Sequence, residues 1–259
     1  MAANSELRRG VFQGTRSVTE EVTEIWKKTY KIGTRTSPLA LRQVEEIASY
    51  IRRFYPGFSY ETVGIDTYGD KDKTTPISEI EGTDFFTREI DDALLKGEID
   101  LAVHSAKDLP DKIPEGLTIA MITKSLDPYD ALVSKGNLEI EQLPLGARIG
   151  ASSLRRKVQL RKYRGDFQIM DIRGNIAERL RGLDYGYQPP NANRKLTLDA
   201  IIIAACALMR LGLEERIAQR IPFEILRPHP LQGSLAVVTR KKDLKLTELL
   251  SIVNLQEIF

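Results

Sequence analysis

Apolar positions recur along this chain in two alternating rhythms. Tyr30 to Thr34 reads as a short strand, and behind it Ala40, Val44, Ile47, Ile51 and Phe54 return at three- and four-residue spacing. That is the period of a helix burying one face. Ser37 followed by Pro38 supplies an N-cap and a proline at the first helical position, and Pro56-Gly57 stops the run, so a helix is predicted over 38–54. The alternation then repeats. Strands are predicted over 60–65, 99–103, 117–122, 130–133, 148–151, 167–172, 200–204 and 235–238. Helices are predicted over 85–95, after Ser152-Ser153, after Arg173-Gly174-Asn175, after Ala204 and from about Leu244. Thr67 to Asp84 is polar and predicted to be a flexible loop, and residues 1–29 form an N-terminal extension in which Val22, Ile25 and Trp26 line one side of a short helix. Strand and helix patterns in this order predict an α/β fold with largely parallel sheets.

Composition narrows the function classes. The 259 residues allow one large domain or two small ones, and 42% hydrophobic against 29% charged excludes wholesale disorder. The longest apolar run, Ala200 to Leu208, falls far short of the roughly 20 residues that span a bilayer. One cysteine, Cys206, and two histidines, His104 and His229, exclude a disulfide scaffold and argue against a metal centre. With no apolar signal segment near the N-terminus, the expectation is a cytoplasmic protein without a membrane partner.

Net charge is +2, but it is unevenly placed. Arg155 to Arg181 holds nine basic residues against three acidic ones, a net +6 over 27 residues. Arginine dominates, which suits bidentate recognition of carboxylates or phosphates. A solvated helix face is the ordinary explanation of such a run. Nucleic-acid binding is the rival, but the segment interleaves only Tyr163 and Phe167.

Three predicted strands end in small or polar residues with arginine at a helix start: Gly33-Thr34-Arg35-Thr36-Ser37, Gly150-Ala151-Ser152-Ser153-Leu154-Arg155-Arg156 and Ile172-Arg173-Gly174-Asn175. Open sheets bind ligands at the carboxyl ends of parallel strands, and helix N-termini favour anions. A fourth junction differs in sign, because Asp108 follows Lys107 just beyond the strand at 99–103. A carboxylate beside an arginine-rich cleft can stabilise a developing cation or accept an N–H bond; an ordinary turn aspartate is the alternative. His104 reads as a core histidine and Cys206 as a small buried hydrophobe.

At these residues the sequence resembles the porphobilinogen deaminase (hydroxymethylbilane synthase) family. The matching runs are Ile32 to Ala40, Asp100 to Pro110, Gly150 to Arg156, Arg173-Gly174-Asn175 with Arg179, and Leu231 to Ala236, in the family's order. The resemblance implies two lobes like type II periplasmic binding proteins, with the site between them. Residues 30–122 with 233–259 would form the first domain and 123–232 the second. It implies head-to-tail joining of four porphobilinogen molecules into linear hydroxymethylbilane, with ammonia released at each step. Asp108 matches the catalytic aspartate, which would hold the pyrrole N–H and stabilise the azafulvene cation. Arg35, Arg155, Arg156, Arg173 and Arg179 match arginines that grip carboxylates, and Ser37, Lys107, Ser152 and Ser153 match polar groups of the same cleft. The resemblance implies a dipyrromethane cofactor attached to a cysteine of a third domain; that domain is expected to be missing here, with the primer held non-covalently or not at all. The loop pattern is Gly82-Thr83-Asp84-Phe85-Phe86 where the family usually has Gly-Lys-Gly-Leu-Phe. A monomer with porphobilinogen as its partner and no nucleic acid is expected. The alternatives are a protein that binds tetrapyrrole precursors without turnover and a binder of polyanions.

Overall fold

A computed structural model describes residues 28–72, 74, 75, 77–80, 82–190 and 194–258. The helical face expected at Val22, Ile25 and Trp26 lies outside the described residues. In chain order the elements are β1 (Thr29–Thr34), α1 (Pro38–Phe54), β2 (Ser59–Gly64), α2 (Tyr68–Lys71), α3 (Arg88–Lys96), β3 (Leu101–Ser105), β4 (Leu117–Ile122), β5 (Asp130–Ser134), β6 (Arg148–Gly150), α4 (Leu154–Tyr163), β7 (Gln168–Met170), α5 (Ile176–Tyr185), β8 (Ala200–Ala204), α6 (Ala205–Arg210), β9 (Gln219–Arg220), β10 (Leu235–Arg240) and α7 (Leu244–Ile258). The chain is α/β with two lobes, each built on one five-stranded sheet.

The two sheets repeat one plan. The first runs β2-β1-β3-β10-β4 and the second β7-β6-β8-β5-β9. In each, three strands are parallel, and a fourth lies antiparallel between the third and a fifth strand at the edge. This departs from the largely parallel sheets expected from the alternation. The antiparallel strands are β5 and β10, the two that arrive from the other lobe. Neither is joined to its neighbour β8 or β3 by a single strand–helix–strand crossover, the unit that makes sheet neighbours parallel.

That reversal places the functional ends together. β10 pairs Leu235 with Ser105 at the end of β3, and β5 pairs Asp130 with Ala204 at the end of β8. The starts of the returning strands therefore lie beside the ends of the parallel ones, along one edge of each sheet. The segments that join the lobes are laced to each other: Ser125 Oγ donates to the Gln232 carbonyl at 2.7 Å, and the Leu126 amide donates to the Gly233 carbonyl at 3.3 Å. Gly233 has φ +90°, and a Cβ there would come within 2.7 Å of the Asp127 carbonyl oxygen, so side chains are excluded from this crossing. Arg210 of α6 bridges the lobes, donating to Glu46 of α1 at 2.7 and 3.0 Å and to the Gly233 carbonyl at 2.8 Å.

Each lobe has its own core. In the first, Val44, Ile47 and Ile51 of α1 pack on Tyr30, Ile32, Leu101 and Val237, as the helical spacing requires. Ser37 caps α1 by accepting from the Ala40 amide at 3.3 Å. In the second, Ile201 and Ile203 of β8 pack with Leu180 and Leu183 of α5, and Ile202 packs on the opposite face with Leu160 of α4. The segment at 67–84 is more ordered than expected: Thr67 and Asp70 form a reciprocal capping box around α2, and a single 3-10 turn spans Ile77–Glu79. The helix predicted from Phe85 begins at Arg88, because Phe85 and Phe86 turn inward to pack with each other and with Tyr68.

Candidate active site

The site is organised around a carboxylate that the sequence reading passed over. Asp130, at the start of β5, is fully buried. It accepts from Arg155 Nη2 at 2.7 Å, from Arg156 Nε at 3.0 Å and from Gln232 Nε2 at 3.0 Å. Burial alone would raise its pKa, but the two guanidiniums outweigh that and hold it at about 2. Arg156 is itself buried and also donates to the Ile202 carbonyl at 3.2 Å. Two arginines expected to grip a ligand therefore already share one buried carboxylate, which leaves the trio with a net charge of one. In sequence nothing local marks Asp130, which opens an ordinary apolar strand 25 residues before Arg155.

The rest of the basic segment divides in the same physical way. Lys157 pairs with Asp171 and Arg164 with Asp166, while Arg161, Lys162 and Arg181 are exposed. Arg173 and Arg179 differ. Arg179 donates only to the Gly174 carbonyl, at 2.8 Å, and no carboxylate lies within ion-pair reach of it among the described residues. Burial lowers it to about 10, and Arg156, Arg173 and Arg35 add to the fall. Arg173 donates through Nη2 to the Asp72 carbonyl of the facing lobe. Its Nε is buried without a hydrogen-bond partner among the described residues, and its backbone amide donates to the Tyr187 hydroxyl at 3.0 Å.

From the first lobe come Arg35, Lys107 and Asp108. Arg35 donates through Nε to both carboxylate oxygens of Asp70, at 3.1 and 3.2 Å, and its guanidinium lies 4.5 Å over the Phe86 ring. Lys107 donates to Gln232 Oε1 at 3.2 Å. Its pKa is lowered by burial and by Arg156, against the opposing charges of Asp108, Cys206 and Asp130. Asp108 ends the 3-10 turn Ala106–Asp108 after β3 and is exposed. Among the described residues no group hydrogen-bonds or ion-pairs with its carboxylate. It acts electrostatically on both Lys107 and His104, and Arg35 also acts on His104, so the aspartate belongs to the cationic edge. His104 is buried and neutral, pushed down to about 4 by burial, with Nε2 lacking a hydrogen-bond partner among the described residues.

The three serines are engaged locally. Ser37 and Ser153 cap α1 and α4, and Ser152 donates to the Ile172 carbonyl at 2.7 Å. The two caps fix where the helices begin, which sets where Arg35, Arg155 and Arg156 emerge. Cys206 is buried and its thiol is raised by burial, which disfavours the reactive thiolate. Among the described residues no helix is long and apolar enough to cross a membrane.

Fold and edge chemistry together define a two-lobed α/β protein with a group of arginines and a lysine at the sheet edges, beside an acid that has no hydrogen-bond or ion-pair partner among the described residues. A solved LysR-type transcriptional regulator from Neisseria meningitidis, CrgA, shares the fold, with a TM-score of 0.51 at 12% identity over 93% of this chain and 71% of its own. Residues 30–248 match the family model described as porphobilinogen deaminase, dipyromethane cofactor binding domain. Porphobilinogen deaminases from Alkaliphilus metalliredigens, Syntrophus aciditrophicus and Rubrobacter xylanophilus are 40%, 44% and 43% identical over 90%, 82% and 86% of this chain. The matched regions are 70%, 66% and 69% of those relatives' lengths. The chain belongs to the porphobilinogen deaminase family.

Proposed function

We propose that the cleft carries out the hydroxymethylbilane synthase reaction, joining four porphobilinogen molecules head to tail with loss of ammonia at each step. One observation carries this reading: among the described residues Arg173, Arg179 and Lys107 have no carboxylate in ion-pair reach, and Asp108, which acts on Lys107, has no hydrogen-bond or ion-pair partner. Each porphobilinogen brings an acetate and a propionate, so every addition supplies two carboxylates to such a surface. A site built only to bind carboxylates has no use for Asp108, which would repel them. Beside a pyrrole its carboxylate accepts the ring N–H and stabilises the cation left when ammonia departs.

The other residues divide the work. Arg173, Arg179 and Lys107 grip substrate carboxylates directly. Arg35 joins them by exchanging Asp70 for a ligand carboxylate. Arg155 and Arg156, held by Asp130, keep the wall rigid and positive, and Ser37 and Ser153 hold the helix starts in place.

The residues also fit a dipyrromethane, whose carboxylates suit the same uncompensated cations and the partnerless Arg173 Nε. Bound there, the group supplies a pyrrole carbon to which the first substrate is joined. Cys206 does not suit its attachment, being buried with a raised thiol. We take 30–122 with 233–259 as one domain and 123–232 as the other, and place the protein in the cytoplasm as a monomer acting on porphobilinogen, without nucleic acid.

The test is to supply the purified chain with porphobilinogen, follow uroporphyrin absorbance after acid oxidation, and weigh the intact protein. Product is expected, and Asp108→Asn is expected to abolish it while leaving porphobilinogen binding in place. Binding with neither product nor mass gain would reduce the protein to a precursor-binding one.

A further inference from the structure

Gln232 is fully buried where the return segment reaches the first lobe, and its amide is used at both ends. Its oxygen accepts from Lys107 Nζ of the first lobe at 3.2 Å, and its nitrogen donates to Asp130 Oδ1 of the second at 3.0 Å and to the Pro128 carbonyl at 2.8 Å. The two donations fix the amide orientation, since a flipped amide would set its oxygen against two acceptors and its nitrogen against an ammonium. The backbone is fixed as well: Ser125 Oγ donates to the Gln232 carbonyl at 2.7 Å, and Gly233 is tied to Leu126 and Arg210. This rigid acceptor is the only hydrogen-bond partner of the Lys107 ammonium among the described residues.

We propose that Gln232 is a positioning residue of the reaction, which holds Lys107 as a charged, aimed ammonium in the cleft and ties it through Asp130 to the arginine pair of the other lobe. The proposal rests on the function given above. It explains how a lysine with no carboxylate on it is kept charged for a ligand while that ligand's competitor, Asp130, stays saturated by its own donors. The groups that face Lys107 are Arg156 of α4, Asp130 of β5, Cys206 of α6 and Asp108 of its own turn. Burial and Arg156 favour the neutral amine, so losing the Gln232 oxygen would push it further that way, whereas a carboxylate at that position would push it back.

Two variants separate positioning from mere structure. Gln232→Leu removes the acceptor, and Gln232→Glu replaces it with a charged one of the same shape while giving up the donations to Asp130 and the Pro128 carbonyl. Nζ titration of Lys107 by NMR in lysine-labelled protein, identified by the signal missing in Lys107→Met, is expected to move down in the leucine variant and up in the glutamate variant. The alkaline limb of kcat/KM is expected to move with it, and the leucine variant to turn over about tenfold more slowly, as for loss of one hydrogen bond to a charged group. Lysine titrations unmoved in folded variants would overturn the proposal. If leucine prevents folding, the direction of the shift in the glutamate variant decides alone. If the unaltered chain makes no product, the proposed function fails, while the titration still decides whether Gln232 governs Lys107.

Discussion

The basic residues of the second lobe fall into two groups that differ in how their charges are balanced. On the second lobe, Arg155 and Arg156 close on Asp130, which is fully buried, and the arrangement is complete without a ligand. Further along the same lobe, Arg173 and Arg179 have, among the described residues, only carbonyl oxygens to donate to. Under the proposed function, the first pair belongs to the scaffold and the second to the receptor. A guanidinium already paired with a buried carboxylate can be drawn away only by leaving that carboxylate exposed to an apolar interior, at a cost of several kcal/mol. One with no counter-charge is destabilised by its neighbours until an anion arrives. A stretch of sequence with net +6 therefore contains two kinds of arginine that composition cannot distinguish.

The largest expected effect comes from breaking the scaffold. Asp130→Asn leaves two guanidiniums facing an uncharged amide in the interior and is expected to lower unfolding stability by about 3–5 kcal/mol, the usual cost of removing one partner of a buried ion pair. Urea denaturation measures it. The pH dependence has a definite sign. The folded carboxyl lies at about 2, below its unfolded value, so its stabilisation is complete above about pH 4 and is lost as pH falls toward 2. That acid limb is expected to shrink in the variant. A variant as stable as the parent would show that Arg155 and Arg156 do not depend on Asp130.

Breaking the receptor should do the reverse. Arg179→Met removes a half-buried charge that three other arginines repel, so stability is expected to change by less than about 1 kcal/mol. Affinity for porphobilinogen is expected to fall tenfold to a hundredfold, matching about 1.5–3 kcal/mol for a charge-assisted contact. Calorimetric binding beside thermal unfolding measures both. Loss of stability without loss of affinity would place Arg179 with the scaffold.

Much of this geometry was legible in the sequence because it is local. Ser37-Pro38 and the spacing of Ala40 to Phe54 fix α1 at the predicted ends, and β4 and β8 also lie where their apolar runs are. Lys107-Asp108 follows a strand as expected. What escaped is what depends on distance in the chain. Asp130 meets Arg156 only because β5 runs antiparallel to β8, and that direction follows from the crossing between lobes rather than from any pattern within β5. β9 is two residues long and carries no periodicity. The polar stretch after Thr67 read as loose because its order comes from Asp70, whose partner Arg35 lies 35 residues earlier.

Arg35 lies between the two classes, and the smallest expected effect tests where it belongs. Its pair with Asp70 is partly exposed, with side-chain exposures of 29% and 19%, so water and ligand can both reach it. Burial raises the Asp70 carboxyl, but Arg35 and the Thr67 donors outweigh this and leave it lowered; its stabilisation is therefore present above the ordinary carboxylate range and lost as pH falls below it. Asp70→Asn keeps a capping side chain for α2 and removes the charge that holds Arg35, so a stability loss of about 0.5–1 kcal/mol is expected. If Arg35 is lent to the ligand, the same variant should bind porphobilinogen slightly more tightly, because a substrate carboxylate no longer competes with Asp70 for the guanidinium. A weaker affinity at unchanged fold would mean instead that Asp70 aims Arg35 rather than occupies it, and Arg35 would join Arg155 and Arg156 as scaffold.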